Sequence, residues 1–328
     1  YTGGTFKPDY ESAARNQDAL RYQSKTARQD VLLSLHETFL GALLARQEIG
    51  VQEESLRLLE EQLALARNRY DAGVGPKFDV LQADVALANE RPALLRARNS
   101  YRTQIERLRR VIGLPYGDGQ GPGEVEIVGD WASDYSIPEL DQALADAAAN
   151  RPEVRDLQLQ REAGEQDLLV ARRGLRPQVD AFAAYGFLNE RFTDTDDYLN
   201  GWVTGLQATW PIWDGRARTG RVLQQGSRLL QIDLQAEDLR LQIGEEVRRN
   251  RFDCELAREI RRSSERVIEQ AEEAVRLARN RFEAGGARQL DVLQSQLGLT
   301  RARLDQANAD HDFMVARARL LRSLGRLE

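Results

Sequence analysis

Side chains able to make or break bonds are sparse in this chain, and their spacing does not gather them. There are two histidines, His36 and His311, and a single cysteine, Cys254. One thiol can neither close an internal disulfide nor build a zinc site, and no Ser, Cys or carboxylate stands at a spacing that would recruit either histidine into a triad or a metal centre. The run Gly117-Asp-Gly-Gln-Gly-Pro-Gly123 suggests a phosphate cradle, but Pro122 stands where the third glycine of G-x-G-x-x-G belongs, so it reads as a linker. Thr193-Asp-Thr-Asp-Asp197 offers carboxylates for weak divalent-cation binding, and a solvated loop is the preferred reading. Two aspartates remain, Asp79 and Asp291. Each follows a glycine turn and opens a helical pattern, where a carboxylate caps the helix or complements its dipole. No catalytic residue, metal or cofactor is expected, and an enzyme is excluded.

The elements that carry those aspartates are duplicated. Leu65-Ala-Arg-Asn-Arg-Tyr-Asp-Ala-Gly73 recurs as Leu277-Ala-Arg-Asn-Arg-Phe-Glu-Ala-Gly285, and Asp79-Val-Leu-Gln82 recurs as Asp291-Val-Leu-Gln294. The offset is 277 − 65 = 212, and 12 of 23 positions are identical between 65–87 and 277–299. Leading into the first repeat, Leu35, Ala42, Ile49, Leu56, Leu63 and Tyr70 fall seven apart; Val247, Cys254, Arg261, Ile268, Val275 and Phe282 do so before the second. A heptad sustained this long predicts coiled-coil packing. Tyr70 and Phe282 are therefore expected in the core, Cys254 as buried filler equivalent to Ala42, and Arg261 as a snorkelling or lumen-facing side chain. From about Ser12 to Ala72 and from about Arg216 to Ala284 no proline intervenes. At 1.5 Å per residue, about 60 helical residues span roughly 90 Å, which predicts an elongated molecule. Gly73-Val-Gly75-Pro76 and Gly285-Gly286 then stop each long helix. Return helices over about 79–112 and 290–324 complete two helical hairpins.

Composition closes off other classes. The 328 residues are 41% apolar and 30% charged, with a net charge of −6, and only three of the 46 cations are lysine. Mean hydropathy is −0.55. No run of about 18 apolar residues is available to span a bilayer as a helix, and the acidic balance argues against nucleic acid. Between the repeats the texture changes. Glycine and proline crowd 113–138 around a short expected strand, Glu124–Val128, and helices are expected over about 138–149 and 152–174. Val179, Ala181, Ala183, Tyr185 and Phe187 then alternate with Asp180, Ala184 and Gly186, although Phe182 and Leu188 spoil the polar face. Trp202, Thr204, Leu206, Ala208, Trp210 and Ile212 do the same beyond the acidic loop. Two strands of about 11 residues fit one transmembrane β-hairpin, which needs further strands for stability.

Duplicated hairpins carrying R-[YF]-x-A-G and D-V-L, with Trp210-Pro-Ile-Trp-Asp-Gly215 leading into a long helix, resemble the TolC family of outer-membrane efflux and secretion channels. Pro211 and Gly215 match that family's strand-to-helix junction, and Tyr1-Thr-Gly3-Gly4 looks like the same junction in the first half. The resemblance implies a mainly α fold, with long antiparallel coiled-coil hairpins forming an α-barrel and a β-hairpin contributing to a trimeric β-barrel. It also implies a further helix and β-hairpin upstream, so the chain is expected to be truncated at its N-terminus. The implied layout is a first helical hairpin over 1–112, an equatorial linker over 113–151, a helix over 152–176, the transmembrane hairpin over 177–214, and a second helical hairpin over 215–328.

The function implied by the resemblance is a homotrimeric exit duct in a Gram-negative-type outer membrane, reaching into the periplasm. Its partners would be outer-membrane lipid, a periplasmic adaptor protein and an inner-membrane pump of RND, ABC or MFS type. Gly73, Val74, Gly75, Gly285, Gly286 and Ala287 would be the tips that meet the adaptor. Asp291 matches an acidic constriction ring, with Gln294 in place of its second aspartate. Phe282 matches an aromatic whose hydroxyl makes a closing tether in some members, a bond phenylalanine cannot make. The tether's arginine aligns with Ala287, beside Arg288, which leaves Asp79, Arg288 and Tyr70 as further gate candidates. The alternative is a soluble periplasmic adaptor or structural coiled coil. Two helical hairpins bracketing aromatic-edged strands argue against it.

Overall fold

The computed structural model describes residues 1–114, 127–129, 131, 135–189 and 198–327. The elements are α1 (Phe6–Asp71), α2 (Lys77–Ile112), α3 (Leu140–Asn150), α4 (Pro152–Arg172), β1 (Gln178–Asn189), β2 (Tyr198–Thr209), α5 (Ala217–Glu283) and α6 (Gln289–Ser323). The mainly helical, duplicated hairpin architecture is thus the one expected. Of the anticipated strand at 124–128, Ile127 and Val128 are described and lie in no strand. The glycine-rich run 117–123 and the acidic loop 193–197 fall outside the described residues.

The repeat in sequence is a repeat in structure. α1 and α5 contain 66 and 67 residues, and α2 and α6 contain 36 and 35. Each long helix and each return helix also stops in the same way. Gly73, Gly113, Gly285 and Gly325 are left-handed, with φ between 70° and 75°. At the first tip the Gly73 N–H donates to the Tyr70 carbonyl at 2.9 Å and the Val74 N–H to that of Arg69 at 2.9 Å. The Gly285 and Gly286 N–H groups repeat this onto Phe282 and Arg281 at 3.0 and 2.8 Å. This pair of bonds satisfies carbonyls that a helix end otherwise leaves unpaired, and it requires a residue that tolerates positive φ.

The chain divides into two compact units. One comprises Tyr1–Thr26 and Arg151–Gln242, and the other Ala27–Asn150 and Ile243–Glu328. In the first, α4 is tied to α1 by Ser12 Oγ donating to Asp167 at 2.6 Å and by the Arg15–Glu162 ion pair at 3.0 Å. It is tied to α5 by Arg161–Asp233 at 2.6 Å, and Gly164 lets Leu229 and Ile232 of α5 approach its backbone. Tyr1 exchanges both backbone hydrogen bonds with Val179, so the first residue extends the sheet at the edge of β1.

β1 and β2 are antiparallel, with Tyr185 opposite Trp202 and Val179 opposite Ala208. This register sorts the residues by face. Val179, Ala181, Ala183 and Tyr185 share one face with Trp202, Thr204, Leu206 and Ala208, whereas Asp180 and Gln207 lie on the other. The apolar face is bare: Trp202 is 72% and Leu206 78% exposed. On the opposite face the Phe182 ring covers Gly205, where an added Cβ would meet it at 2.8 Å.

The second unit holds the helical hairpins. Leu59, Leu63, Ala66, Ala83 and Leu87 of the first hairpin form one core cluster with Leu293 of the second. Ala42, Leu43, Ile105, Leu108 and Ile127 form another, flanked by Phe39 and Trp131. The linker is laid on α1: Trp131 Nε1 donates to Gln47 at 2.5 Å, and the Arg46 guanidinium to the Ile127 carbonyl. Val247 and Cys254 of the α5 seam are fully buried, Cys254 as expected from its equivalence to buried Ala42. On the same seam the Arg261 Nε donates to the Asp310 carboxylate of α6 at 2.7 Å, and its guanidinium lies 5.5 Å from the Phe313 ring centroid. A charge on a seam needs a partner when the seam is covered, and Asp310 provides one.

Candidate functional site at the hairpin tips

Both tips present open backbone. An added Cβ would meet nothing within 4 Å at Gly73 or Gly285, whereas at Gly75 it would meet the Arg69 Cβ at 3.0 Å. Val74 and Phe78 are 68% and 69% exposed beside the first tip. At the second tip Gly286 is exposed and Ala287 half-buried. Small residues, open backbone and two bare apolar side chains make a surface that a helical partner can approach closely.

The two aspartates occupy the same position of equivalent helices and behave differently. α6 has Arg288 at its N-cap, and Arg288 donates its backbone N–H to the Asp291 carboxylate at 2.9 Å, one half of a capping box. α2 has Pro76 at its N-cap, and proline has no N–H to give. The same reach-back bond is chemically impossible for Asp79, whose carboxylate has no hydrogen-bond or ion-pair partner among the described residues. Asp291 nevertheless remains exposed, and Asp79 is half-buried. Arg288 is exposed and forms no ion pair with Asp79 among the described residues.

The aromatic pair also splits. Phe282 is buried as the heptad expects, but Tyr70 is 45% exposed. The first seam ends one turn early: Ala66 is the last α1 residue in the core cluster, where it meets the returning helix at Ala83 and Leu87. Phe282 instead gains a neighbour from the other hairpin, with the Arg69 guanidinium 4.7 Å from its ring centroid. Arg69 was legible as a repeated residue equivalent to Arg281, but spacing gave no sign that it faces the other tip. Sequence reasoning also missed a buried polar band. Gln52, Ser55 and Gln62 of α1 and Gln289 and Gln296 of α6 are each at most 9% exposed, and Thr300 Oγ1 donates to Ser55 Oγ at 3.1 Å.

Comparison with known proteins bears on the family and the fold of the chain. Residues 1–114 and 143–326 match the family model described as outer membrane efflux protein. The alkaline protease secretion protein AprF of Pseudomonas aeruginosa is 22% identical, over 95% of this chain and 66% of its own length. The outer membrane efflux protein BepC of Brucella suis is 24% identical, over 94% and 66%. The crystal structure of the Campylobacter jejuni CmeC outer membrane channel shares the fold, with a TM-score of 0.81 at 14% identity over 98% of this chain and 68% of that one. The chain spans about two thirds of the length of the curated relatives it matches.

Proposed function

The chain belongs to the outer membrane efflux protein family, and from that membership we propose that it forms the protomer of a trimeric outer-membrane channel, the exit duct of an efflux or type I secretion system. The observation that carries this reading is the bare apolar face of the β-hairpin, set between two copies of a helical hairpin in sequence. A two-stranded sheet exposed on both faces is not stable by itself in water, so neighbouring strands and lipid must complete it. The duct is passive. Cargo moves through it, with energy and selectivity supplied by an inner-membrane pump of RND, ABC or MFS type.

The tips Gly73, Val74, Gly75, Gly285, Gly286 and Ala287 are the docking surface for a periplasmic adaptor. Asp291 from three protomers forms the acidic constriction, since its carboxylate stays exposed while it caps α6. Asp79, denied its own cap, is the carboxylate available for a closing contact, with Arg288, Phe282 and Tyr70 around the same passage. Planar-bilayer recording on the reconstituted protein tests the reading. Discrete cation-selective channels are expected, and a preparation that is trimeric and inserted yet gives no conductance under any closing-contact substitution would refute it.

A further inference from the structure

We propose that the foot of the β-hairpin is a binding surface for the phosphate headgroups of anionic phospholipids in the leaflet that the hairpin enters. The inference rests on the outer-membrane reading and adds to it a lipid chemistry and named residues. Six arginines converge where α4, β1, β2 and α5 meet: Arg172, Arg173, Arg176, Arg216, Arg218 and Arg221. The contacts place five of them together, and Arg216 lies two residues before Arg218 in sequence. Arg218 Nε donates to the Arg172 carbonyl at 3.0 Å, and Arg173 donates to the Gly4 carbonyl. An added Cβ at Gly4 would lie 3.3 Å from an Arg176 nitrogen and 3.7 Å from one of Arg173, and one at Gly174 would lie 3.4 Å from a nitrogen of Arg221.

Carboxylates do not balance this cluster. Asp214 sits in it, but it is already engaged, accepting from the Arg218 N–H at 2.6 Å and lying 3.7 Å from Arg221. Asp180 belongs to the polar face of the hairpin. Arg218 and Arg173 spend donors on carbonyls, a structural role that accounts for those two. It does not account for Arg172, Arg176 and Arg216, which are exposed. Arg216 is moreover the only non-glycine residue with positive φ among those described, at 72° directly after Gly215 at 62°. Such a conformation is strained for an L-residue of this kind, so something must hold it.

Beside the arginines stand Trp210, Ile212 and Trp213, exposed by 64%, 80% and 86%. Trp210 follows β2 in the parity of its apolar face, and its indole N–H donates to the Leu175 carbonyl at 3.1 Å. That bond ties the apolar face to the turn bearing Arg172, Arg173 and Arg176. Indoles at the end of an apolar band, with guanidiniums immediately beyond, match the polarity gradient from acyl chain to headgroup. The chain as a whole is anionic, at −6, so attraction to an anionic leaflet has to come from a local cluster such as this.

The test is native mass spectrometry of the purified protein in detergent, titrated with phosphatidylglycerol or phosphatidylcholine, comparing the parent with the triple variant Arg172→Gln, Arg176→Gln, Arg216→Gln. At about five-fold per arginine, phosphatidylglycerol affinity is expected to fall on the order of a hundredfold, with phosphatidylcholine unchanged. The corresponding triple lysine variant is expected to retain most binding. If the glutamine triple variant fails to fold, Arg172→Gln alone carries the test at about five-fold. Equal phosphatidylglycerol retention in parent and variant overturns the proposal. Displacement of the lipid by millimolar inorganic phosphate also overturns it, in favour of a discrete anion site. A parent that inserts into vesicles without preferring phosphatidylglycerol removes only this inference, whereas a parent that enters no vesicle removes the outer-membrane reading beneath it.

Discussion

Asp79 and Asp291 sit at the same place in the repeat, and one backbone N–H separates their chemistry. Asp291→Asn keeps an acceptor for the Arg288 N–H, so stability is expected to change by about 1 kcal/mol or less. If three copies line the passage, removing their charge should lower cation selectivity and block by trivalent cations in bilayer recordings. Unchanged selectivity and block in an intact trimer would reduce Asp291 to a helix cap. Asp79→Asn has no cap to preserve and is expected to raise conductance with selectivity unaltered. Cys254 gives a second residue-scale prediction. Burial pushes its thiol up to about 11, so the folded protein is expected to resist maleimide at pH 8 while the denatured chain reacts. Because the unfolded thiol ionises at lower pH than the folded one, its linkage contribution is retained below the unfolded value and lost as pH rises toward 11. The Cys254→Ala variant should lack that alkaline loss in equilibrium unfolding.

Elements are held by their ends and by a few paired charges. Gly73→Val and Gly285→Val force a β-branched residue into a left-handed position, at about 1–2 kcal/mol each. Gly298 lies inside α6 with open space around it, where valine has the better helix propensity by a few tenths of a kcal/mol. Loss of efflux at the two tips, with little effect at Gly298 and equal outer-membrane levels, is the expected result in cells lacking a native channel. Equal defects at all three positions would deny the tips any special status. Asp310→Ala should cost about 2–3 kcal/mol in chemical unfolding, because it strands the Arg261 guanidinium on a largely covered seam. Exposed pairs such as Arg67–Asp84 at 3.6 Å should each contribute less than about 1 kcal/mol.

At the scale of the molecule, the apolar face of the hairpin must be covered. The described strands pair only with each other and, through Val179, with Tyr1. Detergent or lipid is therefore expected to be needed to keep the full-length protein monodisperse, and its mass by light scattering should correspond to three copies. A monodisperse monomer in plain buffer would sink the channel reading. Phosphatidylglycerol retained at the arginine cluster would then say which lipid covers the foot of that face.

The periodicities read from residue types determined a large part of this protein. Heptads, proline-free runs and tip glycines specified four of the six helices and their stops, because helix formation and termination depend on residues near in sequence. The duplication gave the two hairpins equivalent helices and equivalent stops, and alternation gave both strands. Local rules reached no further than their own element. Tyr70 and Phe282 share a heptad position, yet only Phe282 is covered, because Arg69 crosses from the other tip. The partner of Arg261, Asp310, stands 49 residues away on α6, beyond the reach of any local spacing rule. The convergence of arginines at the hairpin's foot joins residues about 40 positions apart in sequence through the pairing of β1 with β2. Such contacts are fixed by packing between elements, and only the tertiary structure decides them.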